Sequence, residues 1–148
     1  MNVHREGKPC SDSVTRACSQ RPSCLDLSGC GLSTIPAEIG ALVSLEVLNL
    51  GGNPLSDGSL PASFTQLVNL RVLFFLGCDF TSVPEMLGAM PSLYMLSFKA
   101  NKINTVPAAS LSPKLGWLIL SDNEIETLPD SIGACVAGAY TRSHFRST

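Results

Sequence analysis

The sequence has little charge and few histidines, and these shortages exclude several classes of function. Charged residues make up only 15% of the 148-residue chain. The central part, residues 23 to 135, has four basic and ten acidic side chains, a net charge of 4 − 10 = −6. Nucleic-acid binding requires a basic face, so we expect no nucleic-acid partner. The two histidines, His4 and His144, lie near the ends, and no CxxC spacing occurs, so we expect no metal site, no cofactor and no Cys/His catalytic pair.

Long apolar runs are also missing. No stretch reaches the roughly 18 apolar residues that span a bilayer, and residues 1 to 9 lack the apolar run of a secretory signal. The six cysteines could otherwise indicate a secreted disulfide scaffold. We therefore expect a soluble, cytoplasmic protein with mostly reduced thiols and no membrane partner. Cys10 and Cys18 could still form a disulfide, although two free thiols in a mobile tail are favoured.

A pattern of leucine-like residues recurs five times along the chain. Apolar residues occupy positions 1, 4, 6 and 11 of each copy, and Asn or Cys occupies position 9. The copies begin at residues 22, 45, 70, 93 and 115, with spacings of 23, 25, 23 and 22 residues. The first copy is degenerate because Pro22 takes position 1. Position 9 is occupied in turn by Cys30, Asn53, Cys78, Asn101 and Asn123. Copies in phase at this period indicate a stacked repeat architecture.

The first half of each copy predicts a short strand. Apolar residues at positions 4 and 6 alternate with a variable residue, so one face is buried and the other is open. We expect parallel strands near residues 24–26, 47–49, 72–74, 95–97 and 117–119, with Leu48, Leu73, Leu96 and Leu118 buried. At position 9, a buried Asn amide can satisfy backbone groups of the following turn, while Cys30 and Cys78 would pack as small apolar thiols.

The second half of each copy predicts a return segment. It places an apolar residue before a proline, as Ile35-Pro36, Leu60-Pro61, Val83-Pro84, Val106-Pro107 and Leu128-Pro129. Proline fixes its own φ and keeps the preceding residue extended, so each segment should begin with the same turn. Short or irregular helices should follow on the convex side.

These features resemble the short, cytoplasmic class of leucine-rich repeats over residues 22 to 135. Return segments of the LPxxIGxLxxL type are seen at residues 35 to 42 and 128 to 133. Residues 96 to 103 and 117 to 123 also resemble the repeats of proteins that join leucine-rich repeats to a protein kinase domain. The resemblance implies an α/β solenoid of about five repeats with a parallel sheet on its concave face. The kinase motifs themselves are absent, so we expect no enzyme.

The open face of the predicted sheet offers a candidate partner site. In repeats three to five, positions 3, 5 and 7 include Val72, Phe74, Leu76, Met95, Lys99, Trp117 and Ile119. Large exposed apolar side chains on one face mark interaction sites, and Trp is enriched in binding hot spots. Position 3 is often apolar merely through packing along the sheet, and that alternative stays open. Phe74 and Ile119, at position 5, are harder to explain by packing.

Two functions from different classes follow from these patterns. The first is a non-catalytic interaction module that binds another protein on the concave face, with no small-molecule substrate. The second is a sensor or regulatory fragment of a leucine-rich repeat protein kinase whose catalytic domain is missing from this chain. A fragment without an independent role is a third possibility.

The ends of the solenoid need covers, because terminal repeats otherwise expose apolar residues. Residues 1 to 21 should be a flexible segment or a loose cap, residues 22 to 135 the solenoid, and residues 136 to 148 a cap remnant and mobile tail. Apolar residues at helical spacing predict a capping helix from about 131 to 140; they are Ile132, Cys135, Val136, Ala139 and Tyr140.

Overall fold

One parallel sheet runs through the computed structural model, which describes residues 23–134. Its strands are β1 (Cys24–Asp26), β2 (Val47–Asn49), β3 (Val72–Phe74), β4 (Met95–Ser97) and β5 (Trp117–Ile119). They pair side by side in chain order, and each position of one repeat faces the same position of the next. The predicted solenoid, its strand positions and the parallel pairing are confirmed.

Short 3₁₀ helices form the convex side. They cover Ala37–Ala41, Ala62–Gln66, Glu85–Ala89, Ala108–Ser110 and Asp130–Ala134. All five begin directly after the proline of their return segment. The backbone is extended at Pro36, Pro61 and Pro107. Since proline presets φ and donates no hydrogen bond, it suits the position before a helix. The expected short convex helices are confirmed.

Close approach between neighbouring helices depends on glycine. A Cβ added to Gly88 would lie 1.7 Å from the carbonyl oxygen of Ala109 in the next helix. A Cβ added to Gly40 would lie 2.7 Å from the carbonyl oxygen of Ser63. Both glycines follow the buried apolar residue of their helix, so the missing side chain allows the next repeat to stack tightly.

The core lies between the sheet and the helices. Leu48, Leu73, Leu96 and Leu118 are all 0% exposed, as predicted. Three phenylalanines, Phe75, Phe80 and Phe98, form a contiguous aromatic cluster with ring centroids 4.8, 5.0 and 5.2 Å apart. Burial of large apolar side chains is the dominant favourable contribution to the stability of such a fold.

The described C-terminal end only partly overlaps the predicted capping helix. Residues Asp130–Ala134 form a 3₁₀ helix, and the rest of the predicted segment lies outside the described residues, as do residues 1–22. Half-buried Leu128 and Ile132 pack against the core. Among residues 23–134, none of the helices has the length and apolar character needed to cross a membrane.

Position 8 of every repeat has a left-handed backbone. Its φ values are 63° at Gly29, 68° at Gly52, 66° at Gly77, 58° at Ala100 and 60° at Asp122. Glycine adopts this conformation freely, whereas a Cβ makes it unfavourable by roughly 1–2 kcal/mol. Asp tolerates the left-handed region better than most residues. Ala100 is therefore the strained member of this column.

Ala100→Gly should accordingly increase the free energy of unfolding, by about 0.5–1 kcal/mol once the greater freedom of glycine in the unfolded chain is subtracted. Urea denaturation followed by circular dichroism measures the change. Gly77→Ala is the matched control, and it should destabilise the protein at the same position of the preceding repeat. A less stable Ala100→Gly variant would contradict this explanation.

Candidate interaction surface

The turn after each strand is held by the residue at position 9. The Asn53 side-chain amide donates to the carbonyl oxygens of Leu27 and Leu50, at 2.9 and 2.8 Å. Its Oδ1 accepts from the backbone N–H groups of Cys30 and Leu32, at 2.9 and 3.1 Å. One buried side chain therefore satisfies groups in two repeats, and fixes the spacing between them.

Asn101 makes an equivalent set of contacts two repeats further along. Its amide donates to the carbonyl oxygens of Phe75 and Phe98, at 2.7 and 3.0 Å, and its Oδ1 accepts from the N–H of Phe80 at 3.2 Å. Asn123 continues the ladder, donating to the carbonyl oxygen of Phe98 at 2.8 Å. The ladder thus holds the exposed ends of the concave strands in a fixed arrangement.

The two cysteines of the ladder differ from each other. Cys78 is buried, and its thiol lies 3.5 Å from the carbonyl oxygen of Leu50, to which it donates. Burial raises the pKa of Cys78, which keeps the thiol neutral. Cys30 is half-buried and disulfide-bonded, whereas Cys24 and Cys78 are free. The expectation of a reduced, packing thiol therefore fails at Cys30, whose position in the first described repeat leaves it more accessible than Cys78.

The sheet register brings the predicted partner residues together on the concave side. Val72, Met95 and Trp117 stand next to one another across β3, β4 and β5. Leu76 is 49% exposed and Trp117 is 38% exposed. The other four members of this surface are half-buried. We call the six residues together the concave patch: Val72, Phe74, Leu76, Met95, Trp117 and Ile119. Lys99 is exposed at its margin.

Position 5 has a structural role in three of the repeats, and the two position-5 residues of the concave patch do not have it. In β1, β2 and β4 a polar side chain there accepts a hydrogen bond from the N–H two residues later. The pairs are Asp26 with Ser28 (2.9 Å), Asn49 with Gly51 (3.0 Å) and Ser97 with Lys99 (3.4 Å). Phe74 and Ile119 cannot accept such a bond. The turn therefore does not explain why these two positions are apolar.

Tyr94 extends the exposed apolar surface and was missed in the sequence. It precedes β4 and is 46% exposed. A Cβ on Gly116 would lie 2.3 Å from the Tyr94 ring, so this ring covers the backbone beside Trp117. Position 2 was not among the positions expected to face the concave side. The sequence signal for this contact was Gly116: a glycine at position 2 of the next repeat leaves room for the Tyr94 ring.

Exposure alone does not distinguish the concave patch from the rest of the surface. Val43 and Val68 are 53% and 46% exposed, and both lie between a convex helix and the next strand. Single exposed apolar residues of this kind are common and need no function. The concave patch differs because its members are gathered on three adjacent strands and the residues directly after β3.

Within residues 23–134, no group of three or more His, Cys, Asp or Glu side chains is placed to hold a metal ion. One ion pair is formed in this range, between Lys102 Nζ and Asp79 Oδ1 at 2.9 Å. Both side chains are exposed, and they lie outside the concave patch.

Comparisons with known proteins agree with this architecture. The family model described as Leucine Rich Repeat matches residues 23–42 and 44–67. A solved leucine-rich repeat protein of Leptospira interrogans is similar over 87% of this chain, with 28% identity and a TM-score of 0.72. The chain spans 34% of that protein's length. A comparison with curated proteins found no match. Together with the in-phase strands and the ladder of position 9, these similarities show that the chain is a leucine-rich repeat protein.

Proposed function

We propose that this chain is a non-catalytic module that binds another protein through the concave patch. Leucine-rich repeats generally mediate protein–protein interaction and are typically non-catalytic. The observation that carries the proposal is the replacement of a turn-capping polar residue by Phe74 and Ile119. These residues give up a local hydrogen bond and place apolar area on the open face instead. No small-molecule substrate is part of this proposal.

The dimensions of the patch suit a short protein segment. Positions 3 to 7 of an extended repeat segment span about 13 Å, and three adjacent strands span about 10 Å, given the usual spacings of a parallel sheet. Trp117 and Phe74 are the rigid aromatic groups on this area. Aromatic side chains of this kind carry a large share of binding energy when a partner excludes water from them.

Phe74→Asn tests the proposal while preserving the fold. Asn49 occupies the same position in β2 and accepts a hydrogen bond from Gly51, so an asparagine at 74 should make the equivalent bond. We expect a melting temperature within a few degrees of the unchanged protein. Binding should weaken by about 30-fold, equivalent to roughly 2 kcal/mol. The probe is a peptide selected from a random library on the immobilised full chain, with affinity measured by fluorescence anisotropy.

Val68→Asn is the matched control for this experiment. It introduces the same side chain at a more exposed apolar position outside the concave patch. Its affinity for the selected peptide should equal that of the unchanged chain. Equal affinities for Phe74→Asn and the unchanged chain would overturn the proposal, as would a loss of binding in Val68→Asn alone.

The alternative role, a sensor or regulatory fragment of a leucine-rich repeat protein kinase, would use the same concave face. It stays a second proposal, and the Phe74→Asn experiment bears on both because each requires a bound partner.

The disulfide at Cys30 bears on the cellular location of the protein. Disulfides persist in oxidising compartments and are rare in the cytosol. The disulfide at Cys30 therefore counts against the cytoplasmic location predicted from the sequence. Thiol quantification of the denatured protein, with and without reductant, measures whether this bond is present in material purified under non-reducing conditions.

A further inference from the structure

We propose that the partner presents a short apolar segment with acidic residues on both sides. This inference rests on the proposed function and adds the chemistry of the ligand. The described residues 23–134 contain four basic side chains and ten acidic ones. Three of the four basic side chains, Arg71, Lys99 and Lys114, lie around the apolar surface formed by the concave patch and Tyr94.

Lys99 marks the end of the patch where the strands finish. It stands at position 7 of repeat four, and its carbonyl oxygen accepts from the N–H of Gly77 at 2.9 Å. Exposed Leu76 directly precedes Gly77, so Lys99 and Leu76 lie on adjacent repeats. An apolar group resting on Leu76 would place its flanking residues close to the Lys99 ammonium.

Arg71 marks the opposite end, where the strands begin. Its carbonyl oxygen accepts from the N–H groups of Tyr94 and Met95, both at 2.9 Å. Arg71 is therefore the neighbour of Tyr94 on the adjacent repeat, and its side chain is exposed. Lys114, which precedes β5, is exposed at the same edge, and its ammonium donates to the carbonyl oxygen of Pro91 at 3.3 Å.

The two bounding cations have their charge available to a partner. Within residues 23–134, Lys102 forms an ion pair with Asp79, whereas Arg71 and Lys99 form none. Glu46 precedes β2 and is the neighbour of Arg71: its backbone carbonyl oxygen accepts from the backbone N–H of Arg71 at 2.8 Å. The two side chains form no ion pair.

The surrounding charge makes this arrangement selective. The described chain has a net charge of 4 − 10 = −6, so its remaining surface repels an acidic segment while the margins of the patch attract it. A segment of this kind would be guided onto the patch and away from other faces. A long polyanion is less suitable, because it would extend beyond the few cations into acidic surface.

The spacing of the cations sets the length of the segment. Positions 2 and 7 of a repeat are five residues apart, which is about 16 Å along a strand. An extended peptide covers this distance in roughly five residues. The expected ligand therefore has three or four apolar residues with Asp or Glu on each side.

Selection from a random peptide library on the immobilised full chain tests this inference. The enriched peptides should have Asp or Glu on both sides of Leu, Phe or Trp, and affinity should fall at least tenfold between 50 mM and 500 mM salt, as expected where screening weakens charge pairs. The Lys99→Gln, Arg71→Gln double variant should bind the selected peptide about tenfold more weakly. Lys102→Gln is the matched control and should bind it unchanged.

The outcomes separate this inference from the proposed function. Enriched peptides without acidic residues, or equal losses in the double variant and in Lys102→Gln, would overturn the inference. If those peptides still lose affinity in Phe74→Asn, the concave patch remains the binding site and only the chemistry of the partner is wrong. If no peptide is enriched, or Phe74→Asn binds normally, both proposals are overturned.

Discussion

Replacing Phe98 with alanine is expected to lower the free energy of unfolding by about 3–5 kcal/mol. The ring belongs to repeat four, is 0% exposed and packs against two rings of repeat three. It stacks on Phe75 with centroids 4.8 Å apart and meets Phe80 edge-on at 5.2 Å. Truncation removes these contacts and leaves a cavity that the stacked repeats cannot readily close, because each is held by its neighbours.

Urea denaturation followed by circular dichroism measures this loss, and the chain itself supplies a control. Position 6 is leucine in the first, second and fifth repeats, at Leu27, Leu50 and Leu120. Phe98→Leu should therefore fit the same space and cost less than about 1.5 kcal/mol. A loss below 1 kcal/mol for Phe98→Ala would show that the aromatic cluster does not hold repeats three and four together.

The second large effect is expected at Asn101. Replacing it with alanine should lower the free energy of unfolding by about 3 kcal/mol. The substitution leaves the carbonyl oxygens of Phe75 and Phe98 and the N–H of Phe80 without their side-chain partner. Each buried group left unsatisfied costs roughly 1–3 kcal/mol, although relaxation and water access reduce the sum. Chemical denaturation again provides the measurement.

Cysteine is the informative comparison at this position. Cys78 occupies the same ladder site in repeat three and donates through its thiol to the carbonyl oxygen of Leu50 at 3.5 Å. Asn101→Cys should therefore retain one weak bond and be more stable than Asn101→Ala. Equal stability of Asn101→Ala and the unchanged protein would mean that the ladder does not contribute to folding.

The strand positions could be predicted to the residue because one repeat fixes the register of the next. Leu48 and Leu73 occupy the same position of their repeats, and the parallel sheet pairs them directly. Any shift by one residue would turn the buried face of a strand toward solvent. The spacing of leucines therefore determined the register as well as the fold.

Features that depend on contacts between different positions were not predictable in this way. The Tyr94 ring covers Gly116, although the two residues belong to different repeats and neither matches the leucine pattern. The left-handed column that includes Ala100 contains two residues other than glycine, so composition alone does not mark it.

Asp57 shows how a longer repeat adds a contact of its own. The repeat that begins at residue 45 is 25 residues long. Oδ1 of Asp57 accepts from the N–H groups of Thr81 and Ser82 at 3.0 and 3.3 Å, and the Thr81 hydroxyl also donates to this carboxylate. Partial burial raises the pKa of Asp57, but these hydrogen bonds outweigh it and lower the pKa. The leucine pattern does not predict this link because Asp57 lies outside the repeated positions.

The most direct test of the central claim uses the emission of Trp117, the single tryptophan of the chain. Trp117 is 38% exposed on the concave patch, so a partner bound there should bury its indole ring. Titration of the full chain with a selected peptide that lacks tryptophan should shift the emission maximum to shorter wavelength. The shift should saturate with the dissociation constant found by anisotropy. Saturated binding with an unchanged Trp117 spectrum would contradict binding at the concave patch.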